Sequence, residues 1–234
     1  MSTIGHGPAD NGPTQQVYYV QRKKPVFIVT IVLMALNIVS WLAQMVVPGY
    51  TDAMGLTHHL GRLEPWRLVT SGFIHFGILH IGLNMLALYL LGRPLEMIFG
   101  PVRYLVLYLV SLLGGSALTV LLQDDQVEPW MQPFYGGASG AIFGLFGALV
   151  VLQAFKMIHA GNLIPILGLN LALSFLLPGI GWQAHVGGLI IGAGVAWAYA
   201  RRLKRETTDT TMWVEVGLIA ALVVGVIIAT YTVL

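Results

Sequence analysis

A serine and a histidine stand in glycine-rich surroundings within strongly apolar stretches of the chain. Ser139 lies in the run Gly136-Gly137-Ala138-Ser139-Gly140, and His185 lies in Ala184-His185-Val186-Gly187-Gly188. A polar side chain is unfavourable in hydrocarbon, so a histidine inside a membrane segment marks a functional site by default. A serine hydroxyl needs a base to become a nucleophile, and neutral imidazole is such a base. The two residues together predict nucleophilic acyl transfer.

A second polar pair could stabilise the intermediate of that reaction. His80 and Asn84 are four residues apart and therefore share one face of a helix. Their side chains, with the backbone N–H of Ser139 at a helix start, would supply donors to an oxyanion. No Asp or Glu lies in the apolar run of Ser139 or of His185. The sequence therefore predicts a Ser-His dyad rather than a triad.

Glycines recur at helical spacing beside both candidate catalytic residues. Gly140 is flanked by glycines four residues away on each side, and Gly188 and Gly192 repeat the spacing. Small residues at this interval let two helix backbones approach closely. We therefore expect Gly140, Gly188 and Gly192, together with Gly137, to pack the helices of Ser139 and His185 against each other.

The composition is that of a membrane protein. Of 234 residues, 56% are hydrophobic and 9% are charged, whereas a soluble domain is about one quarter charged.

The chain has no cysteine, which excludes disulfides, thiolate metal sites and a cysteine nucleophile. The pair His58-His59 lacks further ligands nearby, and a Ser-His dyad needs no cofactor. We expect no metal, no cofactor and no nucleic-acid partner.

Apolar runs predict an all-α, polytopic fold with seven membrane spans. A span needs about 20 apolar residues, and the fourth to sixth runs are slightly short and glycine-rich, as helices beside a polar cavity can be. The predicted organisation is a polar segment at 1–25, a six-helix core at 26–201, a basic linker at 202–212 and a seventh helix without polar constellation. The runs are 26–47, 69–91, 102–122, 138–155, 162–178, 184–200 and 213–234.

Basic residues predict the orientation of the chain. With the N-terminus in the cytoplasm, ten of the twelve Lys and Arg residues lie inside and only Arg62 and Arg67 lie outside. Such an excess favours a cytoplasmic N-terminus, and seven spans then bring the C-terminus outside. The ten residues are Arg22, Lys23, Lys24, Arg93, Arg103, Lys156, Arg201, Arg202, Lys204 and Arg205.

The basic residues at the helix ends also give the depth of the polar side chains in the membrane. With a rise of about 1.5 Å per residue, Ser139 lies about 25 Å from Lys156 and His185 about 24 Å from Arg201. His80 lies about 20 Å from Arg93. The polar residues of the three helices therefore lie at similar depths in the outer half of the bilayer. Contact between them requires this similarity of depth.

In these residues and their spacing, the chain resembles the rhomboid intramembrane serine proteases. The matching pieces are Gly137-Ala138-Ser139-Gly140 (GxSG), Ala184 to Gly188, and the pair His80 and Asn84, with Trp66-Arg67 in the first outer loop and Glu96 after the second helix. The resemblance runs from about 30 to 201 and implies a six-helix core, to which some members add a seventh helix.

The resemblance also implies roles. Ser139 would be the nucleophile and His185 the general base, while His80 and Asn84 would help to bind the oxyanion. The substrates would be single-pass membrane proteins cut within or beside their transmembrane segment, in a bacterial inner membrane. Phe143 stands where many bacterial members carry a tyrosine stacked on the catalytic histidine, so stacking without a hydroxyl is expected. Glu96 is expected to be a structural ion-pair partner near the inner surface.

Two other classes of protein are alternatives to a protease. An inactive relative that binds membrane clients would share the fold, although such branches usually lack the serine or the histidine. A transporter or proton-conducting protein could use His80, Asn84 and His185. The sequence shows neither an acidic intramembrane chain nor an inverted repeat, which argues against transport. Each polar residue taken alone could also serve helix packing.

Overall fold

The computed structural model describes residues 27–122, 132–159, 161, 163–176 and 179–232. These residues form α-helices with no β-strand among them, apart from a single bridge between Leu56 and Tyr135. The predicted all-α class is therefore confirmed. The polar segment 1–25 and the cations at 22–24 lie outside the described residues.

Eleven helices are found within the described ranges. A π-helical turn at Leu88–Gly92 joins α5 to α6, and a 3-10 turn at Ser71–Phe73 follows α4. In chain order the helices are α1 (Ile28–Val46), α2 (Tyr50–Met54), α3 (His58–Leu63), α4 (Arg67–Thr70), α5 (Ile78–Ala87), α6 (Arg93–Phe99), α7 (Pro101–Leu121), α8 (Ser139–Ala154), α9 (Leu163–Leu176), α10 (Trp182–Leu203) and α11 (Asp209–Thr232).

Helix α8, at the centre of the molecule, is shorter than the candidate membrane spans. Four segments are long and apolar enough to cross a membrane, namely Ile28–Val46, Ile78–Phe99, Pro101–Leu121 and Asp209–Thr230. Helix α8 is shorter, and every residue from Gly140 to Leu149 is buried against neighbouring helices. A helix enclosed in this way need not match the bilayer thickness itself. The count of seven spans stays a prediction.

Helices α7, α8 and α10 form the centre of the molecule through glycine contacts. A side chain on Gly188 of α10 would overlap the backbone carbonyl of Gly140 on α8, and one on Gly192 would overlap Gly144. On the other side of α10, a side chain on Gly187 would overlap the carbonyl of Gly114 in α7. Backbone therefore packs directly on backbone, as small residues at four-residue spacing allow.

The second membrane-crossing segment differs from its predicted bounds of 69–91. The continuous helix runs from Ile78 to Phe99, because the residues before it fold into short turns of the loop between α1 and α5. The helix passes Pro94, which has no N–H to donate to the preceding turn. The π-helical turn directly before it relaxes the usual bonding pattern at that point.

A buried arginine organises the loop between α1 and α5. Arg67, 5% exposed, donates from Nη1 to the carbonyls of Asp52 and Gly55 and pairs through Nε with the carboxylate of Glu64. The Ser116 hydroxyl of α7 donates to the Leu68 carbonyl at 2.7 Å. These bonds hold the loop on the bundle and fix the approach to α5.

Within the described residues Glu96 pairs with no cation, contrary to the ion-pair role expected for it. Its carboxylate, 2% exposed, accepts from the backbone N–H of Val29 at 2.9 Å and from the N–H and hydroxyl of Thr30 at 2.8 and 2.7 Å. The first N–H groups of a helix lack intrahelical acceptors and attract negative charge. Glu96 therefore caps the start of α1 from the neighbouring helix.

The connection to the last helix also differs from the sequence analysis. The linker predicted at 202–212 spans 204–208, since α10 runs to Leu203 and α11 begins at Asp209. The Thr208 hydroxyl caps α11 by accepting from the Thr211 N–H at 3.1 Å, and Asp209 pairs with Arg202 at 2.9 Å. The last helix also contributes Glu215 to an ion pair with Arg201 at 2.5 Å.

Candidate active site

Ser139 and His185 are in direct contact. The Ser139 hydroxyl oxygen lies 2.8 Å from Nε2 of His185, and the histidine is 8% exposed. Ser139 is the first residue of α8, and His185 lies in the first turn of α10. The close approach of these helices at Gly140 and Gly188 thus brings the two side chains together at the same end of the bundle.

His185 is held on its other sides by two residues. The Phe143 ring stacks on the imidazole, with centroids 4.1 Å apart and an angle of 9° between the rings. The hydroxyl oxygen of Ser174 lies 2.6 Å from Nδ1 of His185, and this serine also donates to the Asn170 carbonyl at 2.7 Å. Both ring nitrogens and one ring face of the histidine are therefore occupied by protein.

His80 aims a donor at the space beside Ser139. Its Nδ1 accepts a hydrogen bond from the Phe76 backbone N–H at 3.2 Å, so in the neutral ring the proton is on Nε2. A Cβ atom on Gly137 would lie 2.8 Å from that Nε2 and 3.6 Å from the Ser139 hydroxyl oxygen. Gly137, with φ of +131°, keeps this small volume open.

Asn84 lies one helical turn further along α5. It is 7% exposed, and its side-chain amide donates to the His80 carbonyl at 2.9 Å. This bond uses one of the two amide hydrogens. Within the described residues no hydrogen bond joins Asn84 to Ser139 or His185. The Ser139 backbone N–H, first in α8, has no acceptor within its own helix.

Around these residues lie a cavity and a third histidine. A cavity of about 420 Å³ is bordered by Tyr135, Ser174 and Trp182 among others. His75 is 2% exposed, and its ring centroid lies 5.0 Å from that of His80. The described residues contain no group of three or more His, Asp or Glu side chains that could hold a metal ion.

Ser174 was not among the site residues predicted from the sequence. A signal was available, because Asn170 and Ser174 are polar residues four apart in the fifth apolar run and so share a helix face. Such pairs usually turn toward the protein rather than toward lipid. The run alone did not reveal which helix that face meets.

Comparison with known proteins assigns the class. A model of the rhomboid domain matches residues 62–202, the part of the chain that carries Ser139, His185, His80 and Asn84. The chain belongs to the rhomboid family. The family and the apolar helices make it an integral membrane protein.

Individual relatives come from bacteria and plants. The chain is 32% identical to rhomboid protease GluP of Bacillus subtilis (strain 168) over 203 residues, which is 78% of this chain and 38% of that protein. It is 30% identical to YdcA of the same organism over 189 residues, covering 76% of this chain and 92% of YdcA. RHOMBOID-like protein 4 of Arabidopsis thaliana is 35% identical over 136 residues, and 32% of its length is covered.

Proposed function

We propose that this protein is an intramembrane serine endopeptidase that hydrolyses peptide bonds in or next to the transmembrane segments of single-pass membrane proteins. The observation that carries the proposal is the 2.8 Å contact between the Ser139 hydroxyl and Nε2 of His185. A hydroxyl within hydrogen-bond reach of a neutral imidazole is the arrangement that nucleophilic catalysis requires. Membership of the rhomboid family supports the same reaction.

The first half of the reaction forms an ester. Ser139 Oγ attacks the carbonyl carbon of the scissile peptide bond while Nε2 of His185 takes the hydroxyl proton. The carbonyl oxygen becomes an oxyanion, for which Nε2–H of His80, the backbone N–H of Ser139 and the amide of Asn84 are the candidate donors. The carbon–nitrogen bond then breaks, and the histidine returns the proton to the leaving amine.

The second half releases the product. A water molecule attacks the ester carbon of acyl-Ser139, and His185 accepts one of its protons. The oxyanion forms in the same place, the ester bond breaks, and Ser139 regains its proton from the imidazolium. Neither half needs a metal or cofactor, because the imidazole carries each proton and N–H donors stabilise the negative charge of the oxyanion.

The family resemblance and the charge distribution suggest the setting of this reaction. We propose a bacterial inner membrane with the N-terminus in the cytoplasm and the C-terminus outside, following the excess of cations on one side. The substrates are then membrane-anchored chains whose cleavage site reaches the depth of Ser139, near the outer surface.

The experiment is cleavage of a model single-pass substrate by the full chain in liposomes. We expect the native protein to cut it and both Ser139→Ala and His185→Ala to lose activity. Ser40→Ala is the matched control, since Ser40 is a buried serine that contacts the Tyr50 hydroxyl at 3.3 Å, away from His185. Undiminished cleavage by Ser139→Ala would overturn the proposal. A native chain that binds such substrates without cutting any of them would instead favour the client-binding alternative.

A further inference from the structure

We infer that Ser174 is a positioning residue for His185, with its hydroxyl oxygen accepting from Nδ1–H and so keeping the lone pair of Nε2 directed at Ser139. The inference rests on the proposed function, because the direction of that lone pair matters to catalysis only if Ser139 is the nucleophile. Ser174 comes from α9, so three helices meet at the histidine.

The proton of the Ser174 hydroxyl is already committed. The hydroxyl has two neighbours, the Asn170 carbonyl oxygen at 2.7 Å and Nδ1 of His185 at 2.6 Å. A carbonyl oxygen can only accept a hydrogen bond. If the hydroxyl donated to the histidine instead, two oxygens would face each other at 2.7 Å with lone pairs alone. Ser174 therefore donates to Asn170 and accepts from His185.

That assignment selects one form of the neutral imidazole. Neutral histidine carries a single N–H, and its other nitrogen is an acceptor. With the hydrogen on Nδ1, Nε2 accepts the Ser139 hydroxyl proton across the observed 2.8 Å. The opposite tautomer would aim Nε2–H at the Ser139 hydroxyl oxygen and leave the histidine unable to act as its base. Only the first tautomer satisfies all three hydrogen bonds.

Back-bonding of a helical serine to the carbonyl four residues earlier is common and by itself says nothing about function. Thr119 of α7 does so with the Gly115 carbonyl at 3.0 Å. Ser174 differs because its oxygen also meets a histidine, and both side chains are buried, at 3% and 8% exposure. An orienting partner on the second nitrogen is how a catalytic histidine is held in the productive tautomer.

The kinetic test uses two replacements of equal size. Ser174→Thr keeps the hydroxyl, and Ser174→Val replaces it with a methyl group. We expect kcat of Ser174→Val to fall by about tenfold to a hundredfold, as on loss of other histidine-orienting partners, with KM little changed. Ser174→Thr should recover most of the activity. Ser174→Ala is the second variant should valine not fold, with a smaller loss expected because water can enter from the adjacent cavity of about 420 Å³.

Thr119→Val is the matched control, since it removes a buried, back-bonded hydroxyl that does not touch His185. The direct readout is the tautomer, measured by nitrogen-15 NMR on histidine-labelled protein, with the signal assigned by its loss in His185→Gln. We expect Nδ1–H in the native protein and in Ser174→Thr, and a mixture of both tautomers in Ser174→Val. A merely structural role of Ser174 would leave the tautomer unchanged.

The outcomes separate this inference from the proposed function. If the native protein cleaves and Ser174→Val keeps its kcat and its tautomer, the inference is overturned while the proposed function stands. An equal loss of kcat in Thr119→Val and Ser174→Val, with no change of tautomer, also overturns it. If the native protein neither cleaves nor reacts at Ser139, the proposed function fails and the positioning role fails with it, and the NMR measurement then decides only whether Ser174 sets the tautomer of His185.

Discussion

The carbonyl oxygen of Gly140 lies so close to the Cα of Gly188 that no side chain fits between them. Each glycine is near a candidate catalytic residue, since Gly140 follows Ser139 directly and Gly188 lies three residues after His185. The distance between α8 and α10 is therefore set by backbone contact. This contact holds the hydroxyl and the imidazole within hydrogen-bond range of each other.

A larger residue at this contact should separate the pair. We predict that Gly188→Val lowers the free energy of unfolding by about 1–3 kcal/mol, the usual cost of overpacking, and abolishes most cleavage, because the helices must move apart. Thermal unfolding in detergent and the liposome cleavage assay measure the two effects.

Gly217→Ala serves as the control for this substitution. Gly217 lies in α11 with open space where a Cβ atom would stand, so alanine should leave activity intact and stability unchanged or slightly raised. A Gly188→Val protein with native stability and native cleavage would show that the glycine contact does not set the geometry of the site.

Stacking on His185 should contribute to turnover. We predict that Phe143→Leu lowers kcat several-fold, because ring stacking of this kind is worth about 0.5–1.5 kcal/mol and keeps the imidazole in one plane. Phe143→Tyr should retain near-native kcat, since the ring is preserved. Phe146→Leu, which removes a neighbouring ring that does not stack on the histidine, is the control. Equal kcat in Phe143→Leu and the native protein would exclude the stacking role.

An oxyanion donor should act on turnover rather than on substrate binding. Asn84→Ala is predicted to lower kcat by about a hundredfold, corresponding to about 3 kcal/mol of transition-state stabilisation, with little change in KM. Asn84→Asp, which keeps the shape and removes both N–H groups, should be at least as slow. Steady-state cleavage rates over a range of substrate densities separate kcat from KM. A change confined to KM would contradict the assignment.

The cap on α1 should affect stability without touching the chemistry. Glu96→Gln loses one acceptor oxygen and leaves a buried N–H of α1 unpaired, which costs about 1–3 kcal/mol. We predict a lower unfolding temperature and unchanged cleavage per folded molecule. Glu206→Gln, at an exposed position, should change neither. If both variants unfold at the native temperature, the cap does not stabilise the helix.

Much of the architecture could be predicted because membrane insertion imposes strong rules on sequence. Apolar runs predicted the all-α class, and the cations at helix ends gave Ser139 and His185 a common depth. The start of the second span could not be found this way. Residues 69–77 belong to the same apolar run as the helix that follows them, and tertiary hydrogen bonds such as that from the Thr70 hydroxyl to the Met54 carbonyl hold that segment in the loop.

The contacts of two other residues could not be predicted, because they depend on which helix faces pack together. Glu96 suggested an ion pair from its position near the inner surface, yet among the described residues its carboxylate accepts from the N–H groups at the start of α1. Ser174 was overlooked because a serine in an apolar helix is usually satisfied by its own backbone. Its contact with His185 arises from the packing of α9 on α10, which no local pattern encodes.

The most direct measurement is the site of reaction with a fluorophosphonate, a probe that phosphonylates activated serines. The native chain in liposomes, His185→Ala and Ser139→Ala would be treated in parallel and the modified residue located by mass spectrometry. We predict an adduct on Ser139 in the native protein and a large loss of labelling in both variants. Labelling at another serine, or equal labelling of Ser139 without His185, would contradict it.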